Sequence, residues 1–393
     1  MKQVYFFGDG KAEGGAHLSD ILGGKGSNLA EMTNLGISVP PGFTLSAEVC
    51  GYYSDHDGEY PEGFKKEVEE NLKKLEESMD KKFGDPDNPL LVSIRSGAAV
   101  SMPGMMDTVL NVGLNENTMA GLIEKTGSQR FGWDSYRRLV QMYGEVVKGI
   151  DARKFDEAME EIKREKNANT DTELDKDDLK EVTEEFLNIY EENLGEEFPQ
   201  DPEEQLWGGI DAVFGSWDNP RALKYREMHN YSNELPGTAV NVQTMVFGNT
   251  GRDSATGVAF TRNPSTGEKS YFGEYLRNAQ GEDVVAGTRT PKDISEMKKD
   301  MPEIWEELKG IFEKLEQHYK DVQDVEFTIE NGKLYLLQTR TGKRTAKAAV
   351  KIAVDMVQEG LISTDLAIHR VDPEQLDQLL HPSFDPKAEK TVV

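Results

Sequence analysis

An acidic segment with a helical pattern separates two regions of the chain that contain strand patterns. Residues 151–204 hold 21 Asp and Glu against 7 Lys and Arg, so about half of the net charge of −27 lies there. Apolar side chains recur at helical spacing within the segment, and they are Phe155, Met159, Ile162, Leu179, Val182, Phe186, Ile189 and Tyr190. This periodicity predicts amphipathic helices with a solvated acidic face, and it disfavours the alternative of a disordered acidic tail.

Strand patterns lie on both sides of this segment. Alternation and turn residues predict strands at 90–95, 239–247, 256–261, 323–329 and 334–340, the last two forming a hairpin around Asn331-Gly332. Helices are predicted near 62–83, at 131–148 and from Thr345 onward, and residues 116–200 are interpreted as a mostly helical subdomain. This order predicts an α+β protein with more than one lobe.

Composition narrows the class of protein further. A chain of 393 residues suggests about two or three domains. Its single cysteine, Cys50, allows no internal disulfide and fits a reducing compartment. The acidic balance argues against binding to nucleic acid or to an anionic membrane, and no run approaches the ~20 apolar residues of a spanning helix. We therefore expect a cytoplasmic protein.

Several common catalytic motifs are absent from the sequence. It contains no P-loop, no Gly-x-Gly-x-x-Gly after a strand and no Gly-x-Ser-x-Gly. None of its six histidines has the spacing of metal ligands, so each is interpreted as an ordinary surface or structural residue.

Two motifs near the start of the chain suit an anionic ligand. Gly23-Gly24-Lys25-Gly26 lets the backbone approach a ligand closely and sets a lysine just before a helix, which suits a phosphate. A glycine turn with a surface lysine is the alternative. Arg95 ends the predicted strand 90–95, where burial is costly unless the arginine meets an anion. The loop that follows, 101–108, is interpreted as a lid over a ligand, with a Met-rich core loop as the alternative.

The predicted hairpin near the C-terminus is the most specific feature. Asp324, Glu326 and Thr328 lie on one face of the first strand. On the second strand Leu334, Leu336, Gln338 and Arg340 share one face. Carboxylate and amide oxygens suit Mg²⁺, and an adjacent arginine suits the phosphates that the metal bridges. A sheet with one solvated face is the alternative.

The metal hypothesis depends on the length of the hairpin loop. A three-residue loop, 330–332, sets Asp324 opposite Gln338 with Glu326 on the same face. A two-residue loop without a bulge would put Glu326 and Gln338 on opposite faces, because side chains alternate along a strand. We predict the three-residue loop.

Taken together, the motifs resemble one family. They are Gly23-Gly24-Lys25-Gly26, Arg95-Ser96-Gly97, Pro103-Gly104-Met105-Met106-Asp107-Thr108, 240–248, 257–264 and Leu337-Gln338-Thr339-Arg340. This set is similar to the N-terminal nucleotide-binding region of the pyruvate phosphate dikinase family, over about residues 20 to 385. The resemblance implies an ATP-grasp fold that holds ATP between two lobes. It also implies a first lobe at 1–115 plus 201–245, a helical insert at 116–200, a second lobe at 246–341 and a C-terminal helical linker at 342–393.

The resemblance also implies roles for single residues. Lys25, Arg95 and Arg138 match phosphate contacts, and Arg340 matches a residue at the transferring phosphates. The resemblance also implies nucleotide contacts by the loop residues Gly104, Met105, Met106 and Thr108, by an adenine hinge with Gln243, Met245 and Val246, and by a loop over the phosphates with Thr256 and Gly257. It implies Glu326 and Gln338 as magnesium ligands, with Asp324 nearby.

The chemistry implied by the resemblance moves the β,γ-diphosphoryl unit of ATP to a histidine and releases AMP. Inorganic phosphate then takes one phosphoryl group, and pyruvate takes the other to become phosphoenolpyruvate. The expected partners are ATP, inorganic phosphate and a phosphohistidine domain in cis or in trans, with a homodimer in the full-length enzyme.

The sequence departs from the family in one important respect. The acceptor histidine of the family follows Thr-Ser, and no Thr-Ser-His occurs here. We therefore expect an ATP-binding part without the phosphohistidine and pyruvate-binding domains. The alternatives are a protein similar to phosphoenolpyruvate synthase, a stand-alone ATP-grasp phosphotransferase with another acceptor, or a non-catalytic ATP-binding module whose acidic helices dock a partner.

Overall fold

A computed structural model describes residues 2–100, 102, 108–229, 231, 235–286 and 289–380. The strands of this part of the chain are β1 (Val4–Gly8), β2 (Lys11–Ala12), β3 (Gly42–Leu45), β4 (Lys82–Phe83), β5 (Pro89–Leu90), β6 (Val92–Ala98), β7 (Thr108–Val112), β8 (Thr238–Thr244), β9 (Ala255–Phe260), β10 (Phe272–Arg277), β11 (Lys292–Asp293), β12 (Gln323–Glu330) and β13 (Lys333–Thr341).

Helices account for more residues than strands. They are α1 (Ser19–Asn34), α2 (Ala47–Asp55), α3 (Phe64–Met79), α4 (Glu116–Thr126), α5 (Gln129–Met142), α6 (Ala152–Glu165), α7 (Lys176–Leu194), α8 (Pro202–Gly215), α9 (Pro220–Met228), α10 (Gly281–Ala286), α11 (Met297–Asp300), α12 (Pro302–Tyr319), α13 (Ala346–Gln358), α14 (Thr364–Arg370) and α15 (Pro373–Leu380). The predicted α+β class is confirmed. In the described part of the chain, no helix combines the length and the apolar content needed to cross a membrane.

The chain divides into two compact units. The first comprises Met1–Ala255, Arg277–Thr288 and Thr328–Gln338, and the second comprises Thr256–Leu276, Arg289–Phe327 and Thr339–Val393. The four-part division expected from the family resemblance stays a prediction.

The first unit contains a six-stranded sheet in the order β2-β1-β3-β8-β6-β7. Each pair of neighbouring strands is antiparallel, so the sheet needs no crossover helix between adjacent strands. The predicted strand 90–95 is interrupted at Leu91, and its second part, β6, continues to Ala98. All of β6 except Arg95 is buried, as is all of β8.

The acidic segment of the first unit folds into amphipathic helices, as predicted. The apolar side chains named above are buried in α6 and α7. Asp151 caps α6, and Asp175 forms a capping box at the start of α7, so acidic residues satisfy backbone N–H groups at both helix starts. The predicted helix 131–148 is α5 followed by a π-helical stretch at Tyr143–Val147.

A five-stranded sheet has the order β11-β10-β9-β12-β13, and the second unit contains β11 and most of β9, β10 and β12. Helix α12 buries an apolar stripe that includes Leu308, Phe312 and Leu315. The helices from Thr345 onward, also predicted, bury Ile352 and Met356 in a cluster with Val322. They are therefore packed elements of this unit.

Candidate functional site

The glycine motif lies inside α1, at a kink, so Lys25 stands in the first turn of the helical part that follows Gly23, where the sequence predicted a lysine just before a helix. Gly23 has φ 65° and ψ 174°, so the helical backbone is broken at this residue. A Cβ atom on Gly23 would lie 1.3 Å from the carbonyl oxygen of Gly97. Because no other residue fits this approach, Gly23 serves the packing of α1 against β6.

This packing brings two of the predicted phosphate contacts to one face of the six-stranded sheet. A Cβ on Gly97 would lie 3.5 Å from the Cβ of Lys25. Arg95 and Gly97 are two residues apart in β6, so they face the same side. Lys25, in α1, and Arg95, in β6, therefore lie close together on the same side of the six-stranded sheet.

Arg95 lies in the middle of β6, and the prediction that it ends a strand is wrong. The strand continues because Ser96, Gly97 and Ala98 all pair with β8. Arg95 is half-buried, and its Nη1 donates a long hydrogen bond of 3.4 Å to Oε1 of Gln243. Its neighbour on β7 is Thr108, so these two predicted site residues lie side by side. Gly104, Met105 and Met106 lie outside the described residues.

The predicted adenine hinge begins at the end of β8. The strand ends at Thr244, earlier than predicted, and Met245 and Val246 follow it. The side chain of Gln243 is fully buried, and its Nε2 donates to the carbonyl of Pro40 at 3.0 Å. The backbone N–H of Met245 donates to the carbonyl of Leu91 at 2.9 Å. A contact of Met245 with adenine would therefore use its carbonyl or its side chain.

Arg138 is held in the first unit by two carboxylates. Its Nε donates to Oδ2 of Asp134 at 3.2 Å, and its Nη2 donates to Oδ1 of Asp283 at 3.0 Å. Asp134 also accepts from Nε of Arg137 at 3.0 Å. Burial by itself would raise the pKa of Asp134, but the guanidinium groups of Arg138, Arg137 and Arg130 outweigh burial. The pKa of this carboxyl therefore lies well below its ordinary value, and Asp134 is an anion.

Thr256 and Gly257 lie within β9, and the expectation that they form a loop is wrong. The Oγ1 of Thr256 donates to the carbonyl of Phe327 at 3.2 Å. A Cβ on Gly257 would lie 2.6 Å from the ring of Phe327, so the glycine allows close packing inside the sheet. The strand predicted for 256–261 is confirmed, whereas a contact of these residues with phosphates stays a prediction.

The hairpin of β12 and β13 has a two-residue turn, so the predicted three-residue loop is wrong. Asn331 and Gly332 both have positive φ, 49° and 77°, as in the primed turns of tight hairpins. At the other end, the N–H of Gly342 donates to the carbonyl of Val322 at 2.8 Å. The turn sets residue 330 against 333, whereas this bond sets 322 against 342, so β13 carries one extra residue. We infer a β-bulge in β13.

Because of the extra residue, the polar faces of the two strands coincide at the base of the hairpin. The Nε of Arg340 donates to Oδ2 of Asp324 at 2.7 Å. Glu326 is two residues from Asp324, so these two carboxylates lie on one face of β12. Gln338 is a buried residue of β13, two positions before Arg340. Among the described residues, no three His, Cys, Asp or Glu side chains form a metal-binding group. The donors predicted for Mg²⁺ include an amide, and Mg²⁺ commonly takes only one or two carboxylates from a protein.

The sequence motifs did not indicate Asp134 and Asp283 as partners of Arg138. Asp134 lies four residues before Arg138, and this spacing on a helix predicts an ion pair. Asp283 is 145 residues away in the chain, and no pattern in the sequence joins it to Arg138.

The fold is that of an ATP-binding protein of the ATP-grasp class. The contacts of Lys25, Arg95, Glu326 and Gln338 with a nucleotide and its metal stay predictions. The chain belongs to the family described as "Pyruvate phosphate dikinase, AMP/ATP-binding domain", whose model matches residues 19–306 and 302–361. The family predicted from the motifs is thereby confirmed.

Curated relatives named pyruvate, phosphate dikinase match nearly the whole chain. A chloroplastic pyruvate, phosphate dikinase of Mesembryanthemum crystallinum is 55% identical over 391 residues, which are 99% of this chain and 41% of the relative. The enzyme of Rhizobium meliloti is 54% identical over 407 residues, 100% of this chain and 45% of the relative. That of Clostridium symbiosum is 54% identical over 393 residues, 99% of this chain and 44% of the relative. The chain thus spans less than half the length of these relatives.

Proposed function

We propose that this chain binds Mg-ATP and catalyses transfer of the β,γ-diphosphoryl unit of ATP to a histidine outside the chain. In this proposal Lys25, Arg95 and Arg138 bind phosphate oxygens. The observation that carries it is the position of Lys25 and Arg95 on one side of the six-stranded sheet, where two cations suit a polyphosphate. Thr108, beside Arg95, joins this group. Gly104, Met105, Met106, Thr256 and Gly257 are further proposed contacts of the nucleotide.

Adenine is proposed to bind along the backbone that leaves β8. Gln243 supports this segment through its bond to Pro40, and Met245 and Val246 supply the contacts. An extended backbone presents alternating donors and acceptors, which match the edge of a purine.

The oxygen donors of the hairpin fit Mg²⁺. Glu326 and Gln338 would hold the ion, with Asp324 beside them. A Mg²⁺ ion held there would neutralise charge on the phosphates. Asp324 orients Arg340 through the 2.7 Å bond, so the guanidinium is fixed while charge develops on the transferred group.

The acceptor and the remaining reaction lie beyond these residues. We propose that a phosphohistidine domain, in cis or in trans, accepts the diphosphoryl unit, that inorganic phosphate takes one phosphoryl group, and that pyruvate takes the other. The full reaction is then ATP, phosphate and pyruvate to AMP, diphosphate and phosphoenolpyruvate. A homodimer of the full-length enzyme and a cytoplasmic location belong to the same proposal, although the Mesembryanthemum relative is named as chloroplastic.

A reconstitution in trans tests this function. The chain is mixed with a separately expressed phosphohistidine domain of a relative, Mg²⁺ and ATP labelled in the β- or the γ-phosphate. Both labels are expected on the histidine, together with release of AMP, and none when Mg²⁺ is chelated. Label on another acceptor would support a different phosphotransferase, and ATP binding without any transfer would support a non-catalytic module.

A further inference from the structure

Helix α5 buries two consecutive arginines, and together they require more than one anion. Arg137 and Arg138 have only 5% and 10% of their side-chain surfaces exposed. Asp134 contacts both, with Oδ1 toward Arg137 and Oδ2 toward Arg138. One carboxylate cannot neutralise two guanidinium groups, and uncompensated buried charge is costly. Each arginine therefore has a second carboxylate.

The two second carboxylates differ in origin. Arg137 contacts Asp171 at 2.9 Å, and Asp171 also lies 3.5 Å from the ammonium of Lys163. Asp171 thus belongs to an ion-pair network within the acidic segment. Arg138 contacts Asp283 between Nη2 and Oδ1 at 3.0 Å.

The side chain of Asp283 is held by a backbone N–H group as well as by Arg138. Its second oxygen, Oδ2, accepts from the N–H of Gln280 at 2.8 Å. Its side chain is 19% exposed, so solvent and solutes reach this end of the ion pair. A phosphate carries more charge than a carboxylate and can engage a guanidinium at two points, which makes it the better partner.

We propose that Asp283 occupies, on Arg138, the place that a nucleotide phosphate takes, while Asp134 remains bound and positions the guanidinium. Nucleotide binding at Arg138 is then an exchange of one anion for another. This inference rests on the proposed function, since it needs Arg138 to bind phosphate. It follows that Asp283 opposes nucleotide binding, because the free energy of its bond to Arg138 is lost when phosphate enters.

Calorimetric titration of the chain with the non-hydrolysable ATP analogue AMP-PNP and Mg²⁺ tests the exchange. Asp283→Asn removes the competing charge and is expected to tighten binding by about 1.5- to fivefold, the range for an exposed ion pair. Asp283→Ser is a second variant that should tighten binding in the same direction. Asp171→Asn is the matched control, since it removes the equivalent carboxylate from Arg137, and it should leave the affinity unchanged.

Two further measurements separate exchange from a structural role. In the Arg138→Met background, Asp283→Asn should no longer change the affinity for the analogue. Adenosine, which has no phosphate, should bind the wild type and Asp283→Asn equally. An unchanged or weaker affinity for the analogue in both Asp283 variants would overturn the inference while leaving the proposed function intact. If the wild-type chain does not bind the analogue at all, the proposed function fails and this inference fails with it.

Discussion

Each unit of the protein buries an arginine beside acidic partners, Arg138 in the first and Arg262 in the second, and the two are neutralised differently. Arg262 has none of its side-chain surface exposed. It donates to both oxygens of Glu316 and to both oxygens of Glu359, at 2.6 to 3.1 Å. Arg138 instead shares Asp134 with Arg137, and its Nη2 donates to Oδ1 of Asp283.

This difference shows that an arginine within a family motif need not bind the ligand of the family. Arg262 belongs to a segment that resembles the family's nucleotide-binding motifs, yet its two carboxylates join β9, α12 and the end of α13 within the second unit. Burial lowers the pKa of its guanidinium, but the bonds to Glu316 and Glu359 outweigh burial and raise the pKa. Arg262 is therefore a structural cation, whereas Arg138 is the arginine whose carboxylate can be replaced.

The largest expected effect is on stability, at Arg262. Arg262→Met should lower the free energy of unfolding by about 3–5 kcal/mol, because it leaves Glu316 buried without its counter-charge. Urea denaturation followed by circular dichroism measures this loss. A small loss at Arg262, equal to that of an exposed residue such as Arg153→Ala, would show that the cluster is not structural.

The next effect is on catalysis, at the hairpin. Arg340→Ala and Glu326→Ala should each lower transfer to the phosphohistidine domain by about 10²–10³-fold or more, since Arg340 stabilises developing charge directly and Glu326 holds the Mg²⁺ that does so. The fold should remain, with an unfolding midpoint close to that of the wild type. Turnover at the wild-type rate in either variant contradicts the site, and Arg153→Ala serves as the control with unchanged turnover.

Arg138→Met should affect binding more than stability, in contrast to Arg262→Met. We expect the affinity for AMP-PNP to fall by about ten- to a hundredfold, because a charge-assisted contact is lost. The loss of stability should be smaller than at Arg262, since Asp134 keeps its bond to Arg137. If Arg138→Met unfolds the chain as readily as Arg262→Met and leaves the affinity unchanged, the contrast between the two arginines is wrong.

Acid should weaken the first unit through Asp134. Its pKa is lower in the folded than in the unfolded chain, so its contribution to stability is present above the unfolded value of about 3.9 and is lost as the pH falls below it. Between pH 5 and 3 the stability of the wild type should therefore fall more steeply than that of Asp134→Asn. Parallel curves from urea titrations would contradict this assignment.

The smallest expected effect is at the rim of the Arg262 cluster. Lys269 contacts Glu359 at 2.7 Å, but 62% of its side chain is exposed. Lys269→Ala should therefore cost no more than about 1 kcal/mol of stability. A loss as large as that of Arg262→Met would mean that the whole cluster, and not its buried arginine, stabilises the second unit.

Much of the architecture could be predicted from the sequence because it depends on local periodicity. The helices of the acidic segment, strand β8 and both strands of the hairpin follow from spacings of side chains along the chain. The misassigned positions involve close contacts between residues that lie far apart in the chain. Gly23 meets Gly97 and Gly257 meets Phe327, and a glycine in a sequence does not reveal whether a ligand or another strand comes close.

The family, the α+β class and the alternation that sets Asp324 and Glu326 on one face of a strand follow from the amino-acid sequence alone. The pairing of each carboxylate with its arginine, and the bulge that aligns Arg340 with Asp324 in place of a longer loop, depend on the folded chain. A buried charge must be paired, but this requirement does not specify the partner. Asp283 and Glu359 lie 145 and 97 residues from their arginines, and only the folded chain brings them together.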